Sequence, residues 1–136
     1  SSSNTKSMVE QRVDGLHHVQ LAMPAGGEAQ ARQFYGVLLG LTEIAKPARL
    51  AARGGVWFQC GSLQLHLGVD ADFVPAKKAH PGLLVGNLAG LIDVLIANGH
   101  PIKYDTERLA GFDRAFTADP FGNRIELLQS LEGERD

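Results

Sequence analysis

Hydrophobic and polar residues alternate in the first structured stretch of the chain. Residues 16–23 follow a two-residue period that places His18 and Gln20 on the same face, as expected for a half-buried β-strand. Residues 28–39 then carry apolar side chains at helical spacing and lead to Gly40, the residue type that commonly ends a helix. The pattern therefore predicts a strand followed by a helix.

Three further strands are predicted after this helix. Residues 41–46 are interpreted as a second strand and residues 47–54 as a loop. Residues 56–60 and 62–67 are separated by Gly61, and the two apolar arms around a glycine predict a β-hairpin. The first half of the chain is therefore expected to contain a strand, a helix and three strands, in that order.

The second half of the chain repeats this order. A polar linker leads to a strand at 80–85, which contains Pro81 and is therefore expected at a sheet edge or at the linker end. An apolar stripe beginning at Leu88 predicts a helix that Asn87 caps and Gly99 ends. Three more strands are predicted at residues 101–105, 112–117 and 124–129.

Two strand–helix–three-strand units of about sixty residues each indicate an internal duplication. We therefore predict an α+β fold in a single domain at 8–130, with module one at 13–70 and module two at 76–130. Residues 1–7 are expected to be a leader or cloning remnant, and the acidic residues 131–136 a frayed tail.

Length and composition suit one globular domain and exclude several classes of protein. The 136 residues are 44% hydrophobic and 21% charged, and no apolar run approaches the ~20 residues that cross a bilayer. Thirteen Lys and Arg against fifteen Asp and Glu, with no basic cluster, argue against a nucleic-acid partner. The single cysteine, Cys60, favours a reducing, cytoplasmic location, and its alternating neighbours favour core packing over nucleophilic chemistry.

Three residues form a candidate metal-ligand set. His18 and His80 are predicted in the first strand of their modules, 62 positions apart. Glu126 lies among apolar neighbours in the last strand, where a carboxylate is costly unless it is paired, protonated or bound to a metal. Two imidazoles and one carboxylate suit Fe(II), zinc, nickel or manganese. Spacing alone leaves this open, because each histidine taken singly is more often an ordinary surface or core residue.

Four segments resemble the vicinal-oxygen-chelate superfamily, which includes glyoxalase I, extradiol dioxygenases, fosfomycin-resistance thiol transferases and bleomycin-resistance proteins. The segments are residues 16–21, 34–41, 80–88 and 119–126, and the last, Asp-Pro-Phe-Gly-Asn-Arg-Ile-Glu, is the most specific. The resemblance spans residues 13–129. It implies two βαβββ modules whose curved mixed sheet surrounds a metal-centred cup, in agreement with the duplication.

The resemblance implies that His18, His80 and Glu126 hold a divalent metal ion, which would be nickel, zinc, manganese or iron. All three positions carry competent ligands, which argues against the metal-free bleomycin-binding branch. His17 is interpreted as a non-ligand on the opposite face of the strand.

A fourth ligand is left open. Glyoxalase I proteins place a Glu in the last strand of the first module, whereas shifting Glu126 back by 62 positions reaches Gln64, with His66 one pleat further on the same face. His66 could bind the metal, act as a general base or line the cup. The expected substrate pocket consists of Gln20, Trp57, Gln64, His66, Arg114 and Phe116. Fosfomycin transferases carry a Tyr where Phe116 is expected, which counts against that activity.

The resemblance implies a glyoxalase-like lyase or isomerase whose small substrate chelates the metal through vicinal oxygens, with Glu126 or His66 moving the proton. An Fe(II) extradiol dioxygenase and a protein that sequesters a small ligand without turnover remain as alternatives. Proteins similar to this one are usually dimers, and in many of them one chain supplies the first histidine of a site and the partner chain supplies the other two ligands. We therefore expect a homodimer with a small-molecule substrate and no nucleic-acid or membrane partner.

Overall fold

Two four-stranded sheets, one from each half of the chain, form the framework of the protein in a computed structural model that describes residues 10, 12–105 and 109–131. Each sheet is mixed, and each half follows the order strand, helical segment, three strands. The predicted α+β fold of two βαβββ modules is thus confirmed. The predicted leader and all but the first residue of the predicted tail lie outside the described residues.

The first sheet has the order β1–β4–β3–β2, with β1 parallel to β4 and the other pairs antiparallel. Its strands are β1 (His18–Met23), β2 (Thr42–Ile44), β3 (Val56–Cys60) and β4 (Leu63–Val69). The second strand is shorter than predicted. The hairpin of β3 and β4 turns at Gly61, as expected, and Gly61 has a positive φ of 59°.

The second sheet repeats this topology in the order β5–β8–β7–β6, with β5 parallel to β8. Its strands are β5 (Gly82–Leu84), β6 (Lys103–Tyr104), β7 (Phe112–Ala118) and β8 (Arg124–Ser130). β5 is an edge strand and begins directly after Pro81, as the missing N–H of proline predicts.

The helix of module two agrees with its prediction, whereas the helical segment of module one differs. α3 (Leu88–Ala97) begins at the Asn87 cap, whose side-chain oxygen accepts a hydrogen bond from the backbone N–H of Gly90 at 3.0 Å.

None of the helices among the described residues combines the length and apolarity required to cross a bilayer.

The predicted helix at 28–39 is present, but most of its length is not an α-helix. It contains only α1 (Glu28–Ala31), which continues as a π-helix (Arg32–Leu38) whose end is closed by a hydrogen bond from Leu39 N to Phe34 O at 2.9 Å. Apolar residues at spacings of three and four form a stripe in either helix type, so the pattern does not distinguish them. The predicted loop at 47–54 also contains a short helix, α2 (Ala48–Ala51).

One hydrophobic core joins the two modules through one face of each sheet. Leu65 and Leu67 of β4 and Ile125 and Leu127 of β8 are all at most 2% exposed and belong to the same buried cluster as Phe34. Because side chains alternate along a strand, the even-numbered residues of β4 and β8 lie on the opposite face of each sheet. We call this opposite face the ligand face, since it carries the predicted metal ligands.

A buried polar cluster ties the Asp-Pro-Phe-Gly turn of module two to module one. Asp119 Oδ2 accepts hydrogen bonds from Tyr35 Oη at 2.6 Å and from Asn123 Nδ2 at 2.9 Å. Asn123 Nδ2 also donates to the backbone oxygen of Ala22 in β1 at 2.8 Å. Burial and the Asp119 carboxylate raise the pKa of Tyr35 well above its usual value. The cluster fixes the start of β8, and with it the position of the residues that follow.

Candidate metal centre

The strand registers define which residues of the two modules are equivalent. In module one Gln20 is paired with His66, and in module two Gly82 is paired with Glu126. Gln20 and Gly82 each lie two residues after the predicted metal histidine of their module. The equivalent of Glu126 is therefore His66, and the shift that pointed to Gln64 is wrong. The segment from His80 to Glu126 is two residues shorter than the segment from His18 to His66. A constant shift between the modules therefore does not match their last strands.

The ligand face of module one carries a stack of three aromatic rings. Trp57 lies directly across from His66 in the antiparallel pairing, and their ring centroids are 3.8 Å apart with planes inclined by 2°. His18 covers the other side of His66 at 4.3 Å and 16°. His66 is only 3% exposed as a result. The stack brings two of the candidate residues, His18 and His66, into direct contact.

The hydrogen bonds of His66 indicate its protonation state. Its Nε2 lies 2.9 Å from Gln64 Oε1, and because that amide oxygen accepts, Nε2 donates and Nδ1 keeps a free lone pair. Burial, followed by the nearby His18, His17 and Lys46, lowers the pKa of His66. The environment thus favours a neutral imidazole, the form that binds a metal or accepts a proton.

His17 does not point away from the site as expected. It precedes β1, outside the strand, and its Nδ1 lies 2.9 Å from His18 Nδ1. The alternation that would separate the two side chains therefore does not apply.

The ligand face of module two places His80 against Glu126. His80 was predicted in a strand, but it lies two residues before β5. Its Nδ1 is 2.7 Å from the backbone oxygen of Lys78, and since a carbonyl oxygen only accepts, Nδ1 carries a proton. Its Nε2 is 2.8 Å from Glu126 Oε1, with the two side chains 21% and 13% exposed.

Arg114 holds the other oxygen of Glu126, and Phe116 lies beside the His80–Glu126 pair. Arg114 Nη1 donates to Glu126 Oε2 at 3.2 Å, and Arg114 Nε donates to Asp105 Oδ2 at 2.9 Å. Phe116 lies across from Glu126 in the strand pairing, equivalent to Trp57, and its ring meets His80 edge-on at 5.6 Å. The carboxylate oxygen Oε2 is therefore held by a guanidinium, while Oε1 faces His80.

The chemistry of the His80–Glu126 pair fits a divalent metal. A neutral imidazole with its proton on Nδ1 directs an Nε2 lone pair at a carboxylate oxygen, so a proton or a cation must lie between the two acceptors. Two ligands that each lie about 2.0–2.2 Å from one ion are compatible with a 2.8 Å separation of the donor atoms. The pair is thus suited either to an imidazolium–carboxylate salt bridge or to a shared metal ion.

The complete predicted triad does not meet within one chain. Across residues 10, 12–105 and 109–131, no three His, Cys, Asp or Glu side chains converge in a geometry that would hold a metal ion. His18 contacts His66 in module one, whereas His80 contacts Glu126 in module two. The predicted ligands are therefore divided between the ligand faces of the two modules.

Sequence reasoning did not assign a role to Arg124 or to Asp105. Arg124 shares the ligand face with Glu126, and its guanidinium carbon lies 4.3 Å from the centroid of the Phe116 ring. The alternation of β8 already placed Arg124 on that face, whereas Asp105 reaches Arg114 through the pairing of β6 with β7, which no local pattern reveals. Cys60 packs against the core, and burial raises the pKa of its thiol.

Comparison with known proteins identifies the family. A glyoxalase family protein from Bacillus anthracis is 42% identical, with a TM-score of 0.84 over 90% of this chain and 99% of that one. A glyoxalase/dioxygenase from Nostoc punctiforme (20% identity, TM-score 0.72, 91% of this chain and 96% of that one) shares the fold. So does a lactoylglutathione lyase from Agrobacterium tumefaciens (18%, 0.65, 88% and 96%). No family model and no curated protein matches the sequence. With 42% identity over nearly the whole of both chains, the protein belongs to the glyoxalase family, within the vicinal-oxygen-chelate superfamily.

Proposed function

We propose that this protein is a divalent-metal enzyme of the glyoxalase type, a lyase or isomerase whose small substrate chelates the metal through vicinal oxygens. The observation that carries the proposal is the 2.8 Å approach of His80 Nε2 to Glu126 Oε1, with His80 Nδ1 already committed as a donor to a backbone carbonyl. In the neutral form of this pair, a nitrogen and an oxygen lone pair converge at a distance that one bound cation can bridge.

The proposed ligands are His18, His80 and Glu126, with His66 as the fourth donor. The position of His66 supports this role, because in module one it is equivalent to Glu126 in module two. The site would then contain three imidazoles and one carboxylate, a set suited to nickel, zinc, manganese or iron(II).

We further propose that each site forms between two chains of a C2 homodimer, with module one of one chain facing module two of the other. The two half-sets are separate within one chain and lie on faces directed away from the shared core. Leu84 lies on the same face of β5 as Gly82, the residue that pairs with Glu126. It is 78% exposed and is available for burial by a second chain. A two-fold axis relates the two contacts and yields two sites per dimer.

Residues of this chain would position the metal ligands and the proton acceptor. A divalent ion, when bound, polarises a substrate carbonyl and stabilises the negative charge that develops on its oxygen. Arg114 holds Glu126 through Oε2 and so fixes the carboxylate, while Trp57 packs on the ring of His66 and Phe116 contacts the ring of His80. If His66 is not bound to the metal, its neutral Nδ1 is the proton acceptor for the substrate.

Elemental analysis of protein purified without a His tag tests the proposal. We expect one divalent ion per chain, and we expect Glu126→Gln to lose most of it, because this substitution removes the only charged ligand. Glu43→Gln is the matched control, since Glu43 is an exposed carboxylate paired with Arg32 in module one. Nickel, zinc or manganese would support the lyase or isomerase, whereas iron would support an extradiol dioxygenase. A metal-free protein with full ligand binding would instead support sequestration.

A further inference from the structure

The two arginines on the ligand face of module two have different surroundings. Arg114 is held by Asp105 and Glu126, whereas Arg124 has no carboxylate partner among the residues the structure describes. Arg124 is half-buried, and its guanidinium lies over the ring of Phe116. Arg124 therefore brings an uncompensated positive charge to the face that carries Glu126.

A cavity of about 310 Å³ is lined by both Arg124 and His80. Its polar lining includes Gln20 of β1, His80, Asn123 and Arg124, and the linker between the modules closes one side. No Asp or Glu is among the described residues that line it, so its formal charge is positive. The volume is at the lower end of the range for small-molecule sites.

The position of Arg124 suits recognition of an anion. A guanidinium carries its five N–H donors in its own plane, so contact between its flat side and an aromatic ring leaves these donors available. A carboxylate or a phosphate accepts two of them in parallel, and such charge-assisted pairs are stronger than neutral hydrogen bonds. A half-buried charge without a partner is also costly, and a bound anion would remove that cost.

We infer that Arg124 anchors an anionic group of the substrate, and that the substrate is therefore a small vicinal-oxygen compound that also carries a carboxylate or a phosphate. The chelating half of this inference rests on the proposed function, whereas the anion contact depends on Arg124 alone. In this arrangement the vicinal oxygens lie toward His80 and Glu126, and the anionic end lies beside the guanidinium of Arg124.

Calorimetric titration with matched probes tests the inference. Glycerol 3-phosphate and glycerol differ only in the phosphate, and 3,4-dihydroxybutanoate and its amide differ only in the charge of the carboxyl group. The wild-type chain should bind each charged probe about 10-fold or more tightly than its neutral match. The pair with the larger ratio identifies phosphate or carboxylate as the anionic group.

Substitutions at Arg124 test whether this residue causes the preference for charged probes. Arg124→Gln should abolish the preference for charge and leave the binding of the neutral probes unchanged, while Arg124→Lys should keep part of it. Arg49→Gln, an exposed arginine of α2, is the control and should bind as the wild type does. A wild-type chain without charge preference, or an Arg124→Gln variant that keeps it in full, overturns the inference.

The same titration on metal-stripped protein separates this inference from the proposed function. If the protein binds no metal, the proposed function fails, yet the charged probes should still bind in an Arg124-dependent way. Should Arg124→Gln fail to fold, the probe ratios of the wild type and of Arg124→Lys still decide the outcome. Binding that is equal for charged and neutral probes in both proteins contradicts the anchor.

Discussion

Module one stacks three aromatic rings on its ligand face, where module two carries an ion-paired carboxylate. Trp57 and Phe116 are equivalent by register, as are His66 and Glu126, yet Trp57 stacks face to face on His66, whereas Glu126 is paired with Arg114. The backbone framework is thus common to the two modules, while the histidine–carboxylate pair occurs in module two. The comparison teaches that a duplicated fold can place stacked aromatic rings at the positions where its other half carries a paired carboxylate.

The largest expected effect concerns which chains supply the two halves. His18→Ala and Glu126→Gln chains should each be poor in metal, because one damages module one and the other damages module two. Mixed under conditions that allow subunit exchange, they should regain metal and activity in about a quarter of all sites, since half of the dimers are mixed and each mixed dimer has one intact site.

The control for this experiment is a mixture of His80→Ala with Glu126→Gln. Both substitutions lie in module two, so every site keeps a defect and no metal should return. Recovery in neither mixture, after mass spectrometry has verified exchange, would show that each site lies within a single chain.

The next effect compares the two equivalent positions directly. Glu126→Gln should weaken metal affinity by more than about 100-fold, because it removes a charged ligand, and His66→Phe should weaken it by about 10-fold, because it removes a neutral one. Phenylalanine preserves the ring between Trp57 and His18, so His66→Phe separates metal binding from packing. If His66→Phe keeps full metal affinity but loses turnover about 100-fold, His66 is the base instead.

A smaller effect is expected from the side chain that orients the carboxylate. Arg114→Met should lower metal affinity by about 10-fold, the scale on which residues behind a ligand act. Methionine keeps much of the length and loses the donors to Glu126 and Asp105. Arg32→Met removes an exposed arginine that is also paired with a carboxylate, Glu43, and should leave the affinity unchanged. Equal titration curves for Arg114→Met and the wild type would remove Arg114 from the site.

The smallest effect concerns stability rather than metal. Tyr35→Phe removes the buried donor to Asp119 and should lower the free energy of unfolding by about 1–3 kcal/mol, because the carboxylate loses a partner where water is excluded. Tyr104→Phe is the matched control, since Tyr104 is 61% exposed, and it should change stability by less than about 0.5 kcal/mol. Urea denaturation measures both. Equal midpoints for the two variants would mean that the Asp119 cluster does not stabilise the junction of the modules.

The sequence predicted the fold better than it predicted the details of the site. Alternation and helical spacing are local signals, and they located both modules and the Asn87-capped helix. They did not distinguish an α-helix from the π-helix at Arg32–Leu38, because an apolar stripe satisfies both.

The site depends on information that local patterns lack. The equivalence of His66 with Glu126 follows from the registers of two parallel strand pairs. A fixed repeat length cannot reveal it, because the two modules differ in length by two residues between these positions and their histidines. The contact of Asp105 with Arg114 likewise depends on how β6 and β7 pair. The proposed meeting of His18 with His80 lies beyond a single chain altogether.

Anomalous X-ray scattering from crystals of the metal-loaded protein, measured at the absorption edge of the bound ion, tests the central claim most directly. We predict one strong peak per chain within about 2.0–2.3 Å of His80 Nε2 and Glu126 Oε1, completed by His18 and His66 of a second chain. A peak elsewhere, or crystals of metal-saturated protein in which His80 and Glu126 contact each other with no ion between them, would contradict the account.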